Sequence, residues 1–280
     1  MPAPDKMLIL HGEWIGIAVG LIKTALVRGR QAPVRIKRPS ERRSLSRSAT
    51  RALDVLEYFG EARRPLRAVE IAHRLGLHPS TANQLLKTMV DSAHLVFDAR
   101  AKTYLPSPRL AEFSAWVVES YGVGGRLRAM IRDVQARTGM TVTVTTPNDL
   151  FMQVIDLALP EGQTTERGLQ VSLFGSAIGS AYLASLDQAE IARLADRARI
   201  PADQLPAIRE SVARIRQAGY ADGPSADSAI WSLAIPLPAK RLRVPAVLGL
   251  AGPPGLVRDE IGRFVGVMRE AIARWMSDSA

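Results

Sequence analysis

Two short helical patterns joined by a glycine turn constrain the fold of this chain more than any other feature. Apolar residues at helical spacing predict one helix over residues 66–75 and a second over residues 79–92. Gly76-Leu77-His78 forms a tight turn between them, and Pro79 stands at the first position of the second helix, where proline is tolerated. The pattern predicts a helix–turn–helix unit, whose second helix fits the major groove of DNA.

The segments on either side extend this unit. A helical pattern over residues 46–59 precedes it, and Ser46 can cap that helix. Two short β-rich runs follow around a polar turn at residues 98–102, a pattern that predicts a hairpin. The predicted order is helix, short helix, turn, helix and hairpin, and the basic tip of the hairpin can act as a wing.

Polar and basic residues occupy the face of the second helix opposite its apolar stripe. Asn83 and Gln84 can pair with adenine, and Lys87 can contact phosphate or guanine. Hydroxyl groups at the helix start, arginines of the preceding helix and basic residues of the hairpin tip suit the phosphate backbone. A polar face of this kind also occurs as plain solvated surface in all-α proteins. The predicted DNA-binding residues are Arg47, Arg51, Ser80, Thr81, Asn83, Gln84, Lys87, Thr88, Arg100 and Lys102.

The net charge of the chain is concentrated in its first part. Residues 1–110 hold 19 Lys and Arg against 9 Asp and Glu, whereas residues 111–280 hold 18 of each. The whole excess of +10 therefore belongs to the part that carries the helix–turn–helix pattern. This asymmetry predicts a basic module with a polyanionic partner, joined to a neutral module.

Residues 1–44 are predicted to form a flexible basic extension. The longest apolar run in it, residues 14–22, has nine residues, whereas a membrane span needs about 20. We therefore expect no membrane partner. The basic residues that follow this run form either a solvated arm or an arm that lies along DNA phosphates, and the sequence leaves both interpretations open.

The second half of the chain mixes helices and strands without a regular βαβ alternation. Strands are predicted at residues 140–146, 150–157, 230–237 and 244–250, and residues 171–174 precede a helix rich in small residues. Helices are predicted at residues 108–121, 126–137, 176–185, 188–199, 206–218 and 256–276. This arrangement favours an α+β fold, with a glycine-rich break after the helix that links the two halves.

A ligand site is predicted at the start of the small-residue helix in the second half. Free N–H groups of its first turn, together with the Ser176 hydroxyl, can seat a carboxylate, and a later strand can supply an apolar wall and a second hydroxyl. The alternative is that Gly175 and Gly179 only allow close helix packing and that Trp231 belongs to the core. The predicted effector-binding residues are Phe174, Gly175, Ser176, Ala177, Trp231, Ser232 and Leu233.

Catalysis is the rival class of function. All four His precede residue 95 and the chain has no Cys, so the neutral half lacks both residue types for acid–base, nucleophilic or metal chemistry. The run Gly175-Ser176-Ala177-Ile178-Gly179 does not match the G-x-S-x-G nucleophile elbow. The sequence contains no P-loop or dinucleotide fingerprint. We therefore expect no enzyme activity, no cofactor and no metal.

The chain resembles the IclR family of bacterial transcription regulators over about residues 45–276. Several fragments stand in the family's order, and each is short. Gln84 stands where the family usually has Arg, and Ala93 stands where it usually has Gly. The fragments are residues 46–56, 69–72, 75–77, 80–81, 85–86, 104, 107–110, 139, 168–173, 177–184, 219–220 and 234–237.

The resemblance implies a winged helix–turn–helix domain at residues 45–107, a linker helix at 108–125 used in dimerisation, and a GAF/PAS-like α/β effector-binding domain at 126–280. It also implies a cytoplasmic homodimer or homotetramer that binds operator DNA. Members respond to small metabolites, often aromatic or other organic acids. We therefore expect a ligand-responsive transcriptional regulator, either a repressor or an activator. The alternative is a DNA-binding protein whose second domain only oligomerises.

Overall fold

The computed structural model describes residues 36–37, 46–121, 125–163, 168–225, 229–239, 242 and 244–277. The chain divides into two units, one formed by Ser40–Gly124 and the other by Gly125–Ala280 together with Met1–Pro39. The predicted α+β fold class is confirmed by an N-terminal helical unit and a C-terminal unit built on an antiparallel sheet. Within the described residues, no helix is long and apolar enough to cross a membrane.

The described elements comprise helices and strands in both units. The helices are α1 (Arg47–Ala62), α2 (Ala68–Arg74), α3 (Pro79–Asp91), α4 (Arg109–Tyr121), α5 (Arg126–Thr138), α6 (Ala177–Leu183), α7 (Gln188–Arg197), α8 (Leu205–Ala218), α9 (Pro254–Asp259) and α10 (Ile261–Ser277). The strands are β1 (Ile36–Lys37), β2 (Leu95–Asp98), β3 (Thr103–Pro106), β4 (Thr141–Asn148), β5 (Phe151–Ala158), β6 (Gln170–Ser172), β7 (Ala221–Pro224), β8 (Trp231–Pro236) and β9 (Val247–Gly252).

The first unit packs its helices around one small apolar core. Ala82, Leu86 and Met89 recur three and four residues apart on α3, and all three are buried. They pack with apolar residues from α1, from α2 and from the start of β2. The core residues are Val55, Phe59, Leu66, Ile71, Leu86, Met89 and Leu95. Burial of one face of α3 leaves its other face in solvent.

The second unit is a seven-stranded antiparallel sheet with helices on both faces. The strand order is β1-β6-β5-β4-β9-β8-β7. Helix α6 packs on β7, β8 and β9, and α8 packs on α6. Helix α5 contacts β4 and β5, and α10 contacts α5 and β8. The core on the α6 side includes Phe174, Ala177, Ala181, Ala234 and Val247.

Most predicted elements of the second half occur within a few residues of their expected positions. The predicted closing helix over residues 256–276 was wrong in its continuity, because two helices end and begin around Glu260. Glu260 has φ −104° and ψ 14°, outside the helical region, and it caps α9 through a hydrogen bond from its amide to the Leu256 carbonyl.

The two edge strands of the sheet were absent from the prediction. Strand β7 has the sequence Ala-Asp-Gly-Pro, residue types that local preference disfavours in strands, and it lies at the edge of the sheet beside β8. Strand β1 lies within the extension predicted to be flexible, and there Ile36 and Lys37 pair with Val171 and Gln170. The other residues of the 1–44 extension fall outside the described part of the chain.

Candidate functional site

The exposed face of α3 carries most of the predicted DNA-binding residues. Ser80, Asn83, Gln84, Lys87 and Thr88 are all exposed, while Thr81 is half-buried. Their spacing of three or four residues places the exposed side chains on one side of the helix. The Thr88 hydroxyl donates to the Gln84 carbonyl at 2.9 Å, so its proton is already used and its oxygen is left as an acceptor.

The start of α3 is capped by a residue that the sequence prediction placed only in a turn. His78 occupies the N-cap position with φ −63° and ψ 140°. Its Nδ1 accepts from the Ser80 amide at 3.4 Å and lies 2.8 Å from the Ser80 hydroxyl oxygen. Pro79, the first residue of the helix, has no amide hydrogen. The first amide N–H of the helix therefore belongs to Ser80. The sequence signal was the histidine directly before a proline at a helix start.

The hairpin tip presents the predicted basic residues of the wing. The Asp98 carboxylate accepts from the amides of Arg100 at 2.8 Å and Ala101 at 3.0 Å, which fixes the turn between β2 and β3. Lys102 has φ 54°, and both Arg100 and Lys102 are exposed. Asp98 was not among the predicted site residues, although Asp at the start of a turn is a recognisable signal.

The base of the hairpin is tied to the segment between α1 and α2. The Leu66 and Tyr104 main chains exchange two hydrogen bonds of 3.1 and 2.8 Å. The rings of Phe97 and Tyr104 lie 4.7 Å apart between centroids. These contacts hold the wing against the helical part of the same unit, so the basic tip keeps a defined place beside α3.

The cations of the predicted interface differ from two other arginines of this unit. In the described part of the chain, none of the five has an ion pair with a carboxylate. Arg64 and Arg74, by contrast, pair with Glu70 at 2.6 Å and with Glu61 at 3.1 Å. Unpaired guanidinium and ammonium groups remain available to phosphate oxygens. The five cations are Arg47, Arg51, Lys87, Arg100 and Lys102.

The predicted carboxylate seat in the second unit has its hydroxyl already engaged. Ser176 is buried and caps α6, with its oxygen accepting from the Gly179 amide at 3.0 Å. Its proton goes to the Ser172 carbonyl at 2.7 Å. Gly175, just before it, has φ 85°, a left-handed conformation that glycine adopts without strain. The Ser176 hydroxyl therefore builds the turn into α6.

The other predicted effector residues fall on two faces of the sheet. Phe174 and Ala177 belong to the core on the α6 side, and the alternation along β8 puts Ser232 on that side with Ala234. Trp231 and Leu233 point to the opposite face. There the guanidinium carbon of Arg258 lies 4.9 Å from the Trp231 ring centroid, while the Trp231 Nε1 donates to Asp222 at 3.1 Å. The structure therefore does not bring Trp231 and Leu233 together with Ser232.

A row of threonines on β4 was missed by the sequence prediction. Thr141, Thr143 and Thr145 alternate with buried valines and share the α6 side of the sheet. A Cβ built on Gly249, on the neighbouring strand, would lie 2.7 Å from the Thr143 Oγ1 and 3.2 Å from the Ile178 side chain of α6. The signal was the strict Thr-Val-Thr-Val-Thr repeat, which places hydroxyl groups on one face.

Within the part of the chain that the structure describes, no group of three or more His, Cys, Asp or Glu side chains could hold a metal ion.

Known transcriptional regulators are similar to this chain. Residues 48–96 match the IclR helix-turn-helix domain. The HTH-type transcriptional regulator XynR of Escherichia coli (strain K12) is 25% identical over 235 residues, which cover 80% of this chain and 93% of that protein. The HTH-type transcriptional regulator BhcR of Paracoccus denitrificans (strain Pd 1222) is 26% identical over 186 residues, 62% of this chain and 66% of that protein.

Solved structures share the fold. The crystal structure of an IclR transcriptional regulator from Alicyclobacillus acidocaldarius superimposes with a TM-score of 0.53 at 23% identity, covering 84% of this chain and all of that one. The Thermotoga maritima IclR structure gives a TM-score of 0.52 at 18% identity, over 81% of this chain and 96% of that one. At these identities the likeness concerns the fold.

Proposed function

The chain belongs to the IclR family of transcriptional regulators, and from this premise we propose that it reads operator DNA through α3 and senses a small organic acid in its second unit. The sequence predicted this family, and it also predicted that the protein is not an enzyme. Both predictions agree with the matches, because the family consists of DNA-binding regulators. The observation that carries the proposal is the exposed polar face of α3 on a helix whose other face is packed in the core.

Side chains in the middle of α3 are proposed to contact the DNA bases. Asn83 can donate to and accept from the adenine edge in the major groove, and Gln84 offers the same amide chemistry one residue later. Lys87, one turn further, reaches phosphate or guanine. Gln84 replaces the family's usual Arg, which shifts recognition at that position from guanine and phosphate towards adenine.

The basic side chains around α3 are proposed to contact the DNA phosphates. Two of these cations, Arg47 and Arg51, lie at the start of α1, and two, Arg100 and Lys102, lie at the wing tip. In the described part of the chain, none of the four forms an ion pair with a carboxylate. Such contacts fix the register of a protein on the duplex without reading sequence. They support an affinity that falls steeply with salt.

The regulator is proposed to act in the cytoplasm as a homodimer or homotetramer. Two copies of α3 would then read half-sites roughly 34–36 Å apart, one helical turn of DNA, or a multiple of that distance. An effector must bind two arrangements of the dimer with different affinity in order to change DNA binding. Helix α4, which links the two units along the chain, is the proposed dimerisation and coupling element.

The effector site is proposed on the α6 side of the sheet in the second unit. Phe174 is apolar, and Gly175, Ser176 and Ala177 form the turn into α6. Ser232 and Thr143 are half-buried residues that carry hydroxyl groups on that face. A small organic acid, possessing one polar end and an apolar body, fits a face of hydroxyls and hydrophobic side chains.

A binding experiment with a randomised duplex pool tests the DNA half of the proposal. The full-length protein should select a two-fold symmetric sequence, and the affinity for it should fall as salt rises. Lys87→Ala should weaken binding, whereas Arg214→Ala, which removes an exposed cation on α8 of the second unit, should not. Failure of the protein to select any sequence would refute DNA reading.

Calorimetry with a panel of aromatic and short aliphatic organic acids tests the effector half. We expect one class of acid to bind, and we expect Thr143→Val and Ser232→Ala to weaken it. The alternative function, a second unit that only oligomerises, is favoured by the full engagement of the Ser176 hydroxyl within the fold. If no acid in the panel binds while the protein remains oligomeric, that alternative would be established.

A further inference from the structure

His78 and Ser80 form a side-chain pair at the start of the DNA-reading helix. The imidazole Nδ1 lies 2.8 Å from the Ser80 oxygen and 3.4 Å from the Ser80 amide nitrogen. Both residues are exposed, on the same surface as Asn83 and Gln84. The imidazole therefore touches one of the predicted DNA-binding side chains directly and does not merely end the turn before the helix.

The proton positions of this pair follow from the capping bond. A neutral imidazole has one nitrogen that donates and one that accepts. In the tautomer that allows Nδ1 to accept from the Ser80 amide, the ring hydrogen is on Nε2. In this tautomer the Ser80 hydroxyl, at 2.8 Å from the same nitrogen, donates its proton to the one lone pair of Nδ1, which the more distant amide shares. The Ser80 oxygen is left with lone pairs alone on the side that faces away from His78.

We propose that His78 is a positioning residue of the DNA-binding surface, holding Ser80 as a hydrogen-bond acceptor for the amino group of adenine or cytosine. This inference rests on the proposed reading of DNA by α3 and adds the chemistry of one contact within it. In the major groove, adenine N6 and cytosine N4 are donors, whereas guanine O6 and thymine O4 are acceptors. An acceptor at Ser80 favours the first pair of bases and disfavours the second.

The same reasoning removes Ser80 from the phosphate contacts. A hydroxyl oxygen whose proton is already donated presents only lone pairs. These lone pairs repel those of the phosphate oxygens. Phosphate binding therefore stays with the cations, and Ser80→Ala should leave the dependence of affinity on salt unchanged. A serine free to rotate would instead donate to phosphate, and its substitution would weaken binding to all duplexes alike.

Thr88 provides a matched control on the same helix. Its hydroxyl proton is committed to the Gln84 carbonyl at 2.9 Å, so its oxygen is an acceptor independently of His78. Substitutions at His78 should therefore change base preference where Ser80 contacts DNA and should leave the preference governed by Thr88 unchanged.

The test is a double-mutant cycle on base preference with the full-length protein. A consensus duplex is first selected from a randomised pool, and affinities are measured for it and for duplexes changed at single base pairs. We expect Ser80→Ala to lose about three- to tenfold of discrimination at one base pair, the worth of one hydrogen bond. His78→Ala should lose a similar factor at the same pair, and the double variant should lose no more than either.

Two further variants separate positioning from helix capping. His78→Asn supplies an amide oxygen as the acceptor and should restore most of the discrimination. His78→Gly removes the imidazole while glycine remains a tolerated N-cap, so it serves where the alanine variant fails to fold. Equal weakening for all duplexes, losses that multiply in the double variant, or no change of preference in Ser80→Ala would each overturn the inference. A parent protein that selects no sequence would refute the proposed function instead.

Discussion

The main-chain amide of Arg67 donates to the Glu70 carboxylate at 2.8 Å, which closes the first turn of α2. The same carboxylate accepts from Arg64 at 2.6 Å. The hydrogen bond from Arg64, followed by the one from the Arg67 amide, holds the pKa of Glu70 below its ordinary value. A single carboxylate therefore joins the chain before α2 to the start of the helix–turn–helix.

We predict that Glu70→Gln lowers the melting temperature at neutral pH. We also predict that the melting temperature of the variant decreases less than that of the parent when the pH is lowered. Because the folded-state pKa is depressed, the stabilisation is fully present above the pKa of the unfolded chain. It is lost as the pH falls through the folded-state pKa. The glutamine keeps an acceptor for the Arg67 amide but has no charge to lose. Scanning calorimetry of both proteins from neutral to acidic pH measures the difference.

Glu61→Gln is the matched control for this prediction. Glu61 pairs with Arg74 at 3.1 Å, and more than half of each side chain is exposed to water. Exposed ion pairs of this kind contribute little. Its melting curves should track those of the parent, and a Glu70→Gln curve parallel to the parent's in acid would contradict the assignment.

Ala93 is held in a conformation that suits glycine, and Ala93→Gly should stabilise the first unit. Its φ is 59°, and it follows α3 where the Ala93 amide donates to Val90 and the His94 amide donates to Met89. This pattern is a Schellman motif, whose left-handed residue is usually glycine. We expect a gain of about 1 kcal/mol, because a left-handed alanine is strained by roughly that amount.

Chemical denaturation of the full chain, followed by a signal of the first unit, measures this gain. Ala101→Gly is the control, since Ala101 lies in the nearby hairpin turn and has no positive φ. It should gain nothing, because glycine there only adds freedom to the unfolded chain. A loss of stability in Ala93→Gly would mean that the alanine methyl group is needed.

The helix–turn–helix was predictable because its signals are local. The spacing of Ala82, Leu86 and Met89, together with the glycine turn and the proline after it, depends only on neighbours in sequence. The role of His78 was missed, since a hydrogen bond between side chains at the helix start has no periodic pattern.

The second unit shows where sequence reasoning was incomplete. The engagement of Ser176 depends on the Ser172 carbonyl, whose position is set by the turn into α6. The separation of Trp231 from Ser232 follows from simple alternation along a strand, so this signal was present and had been overlooked. Strand β7 could not be predicted, because its pairing with β8 outweighs the preferences of Asp, Gly and Pro.

Close contact between α6 and the chain before it makes Gly179 sensitive to any side chain. A Cβ at this position would lie 1.9 Å from the Leu173 carbonyl oxygen and 2.5 Å from its carbon, both main-chain atoms. Relief requires α6 to move away from the Leu173 main chain. We expect Gly179→Ala to destabilise the second unit by about 3 kcal/mol or more.

Gly266→Ala tests whether this loss comes from contact or from glycine itself. Gly266 lies within α10, and nothing stands within 4 Å of a Cβ built on it. There alanine should stabilise by about 1 kcal/mol, because it is the better helix former. Thermal unfolding of both variants compares the two positions, and equal effects would argue against the close approach of Leu173.

Asn83 and Lys87 lie one turn apart on the exposed face of α3, and their substitutions should have different consequences for DNA binding. Asn83→Ala should relax the preference at one base pair, by roughly 1–3 kcal/mol, because an amide reads a base edge. Lys87→Ala should weaken all duplexes alike and reduce the slope of log affinity against log salt by about 0.9, the value for one phosphate contact.

Titrations at several salt concentrations, with the selected duplex and with single base-pair changes, separate these effects. Asn83→Ala should keep the parent's salt slope, since no phosphate contact is lost. Lys87→Ala should keep the parent's base preference unless the ammonium group reaches guanine, in which case one G·C pair loses its advantage. If both variants bind every duplex as the parent does, α3 does not contact DNA, because two exposed side chains at the centre of a reading helix cannot both be silent.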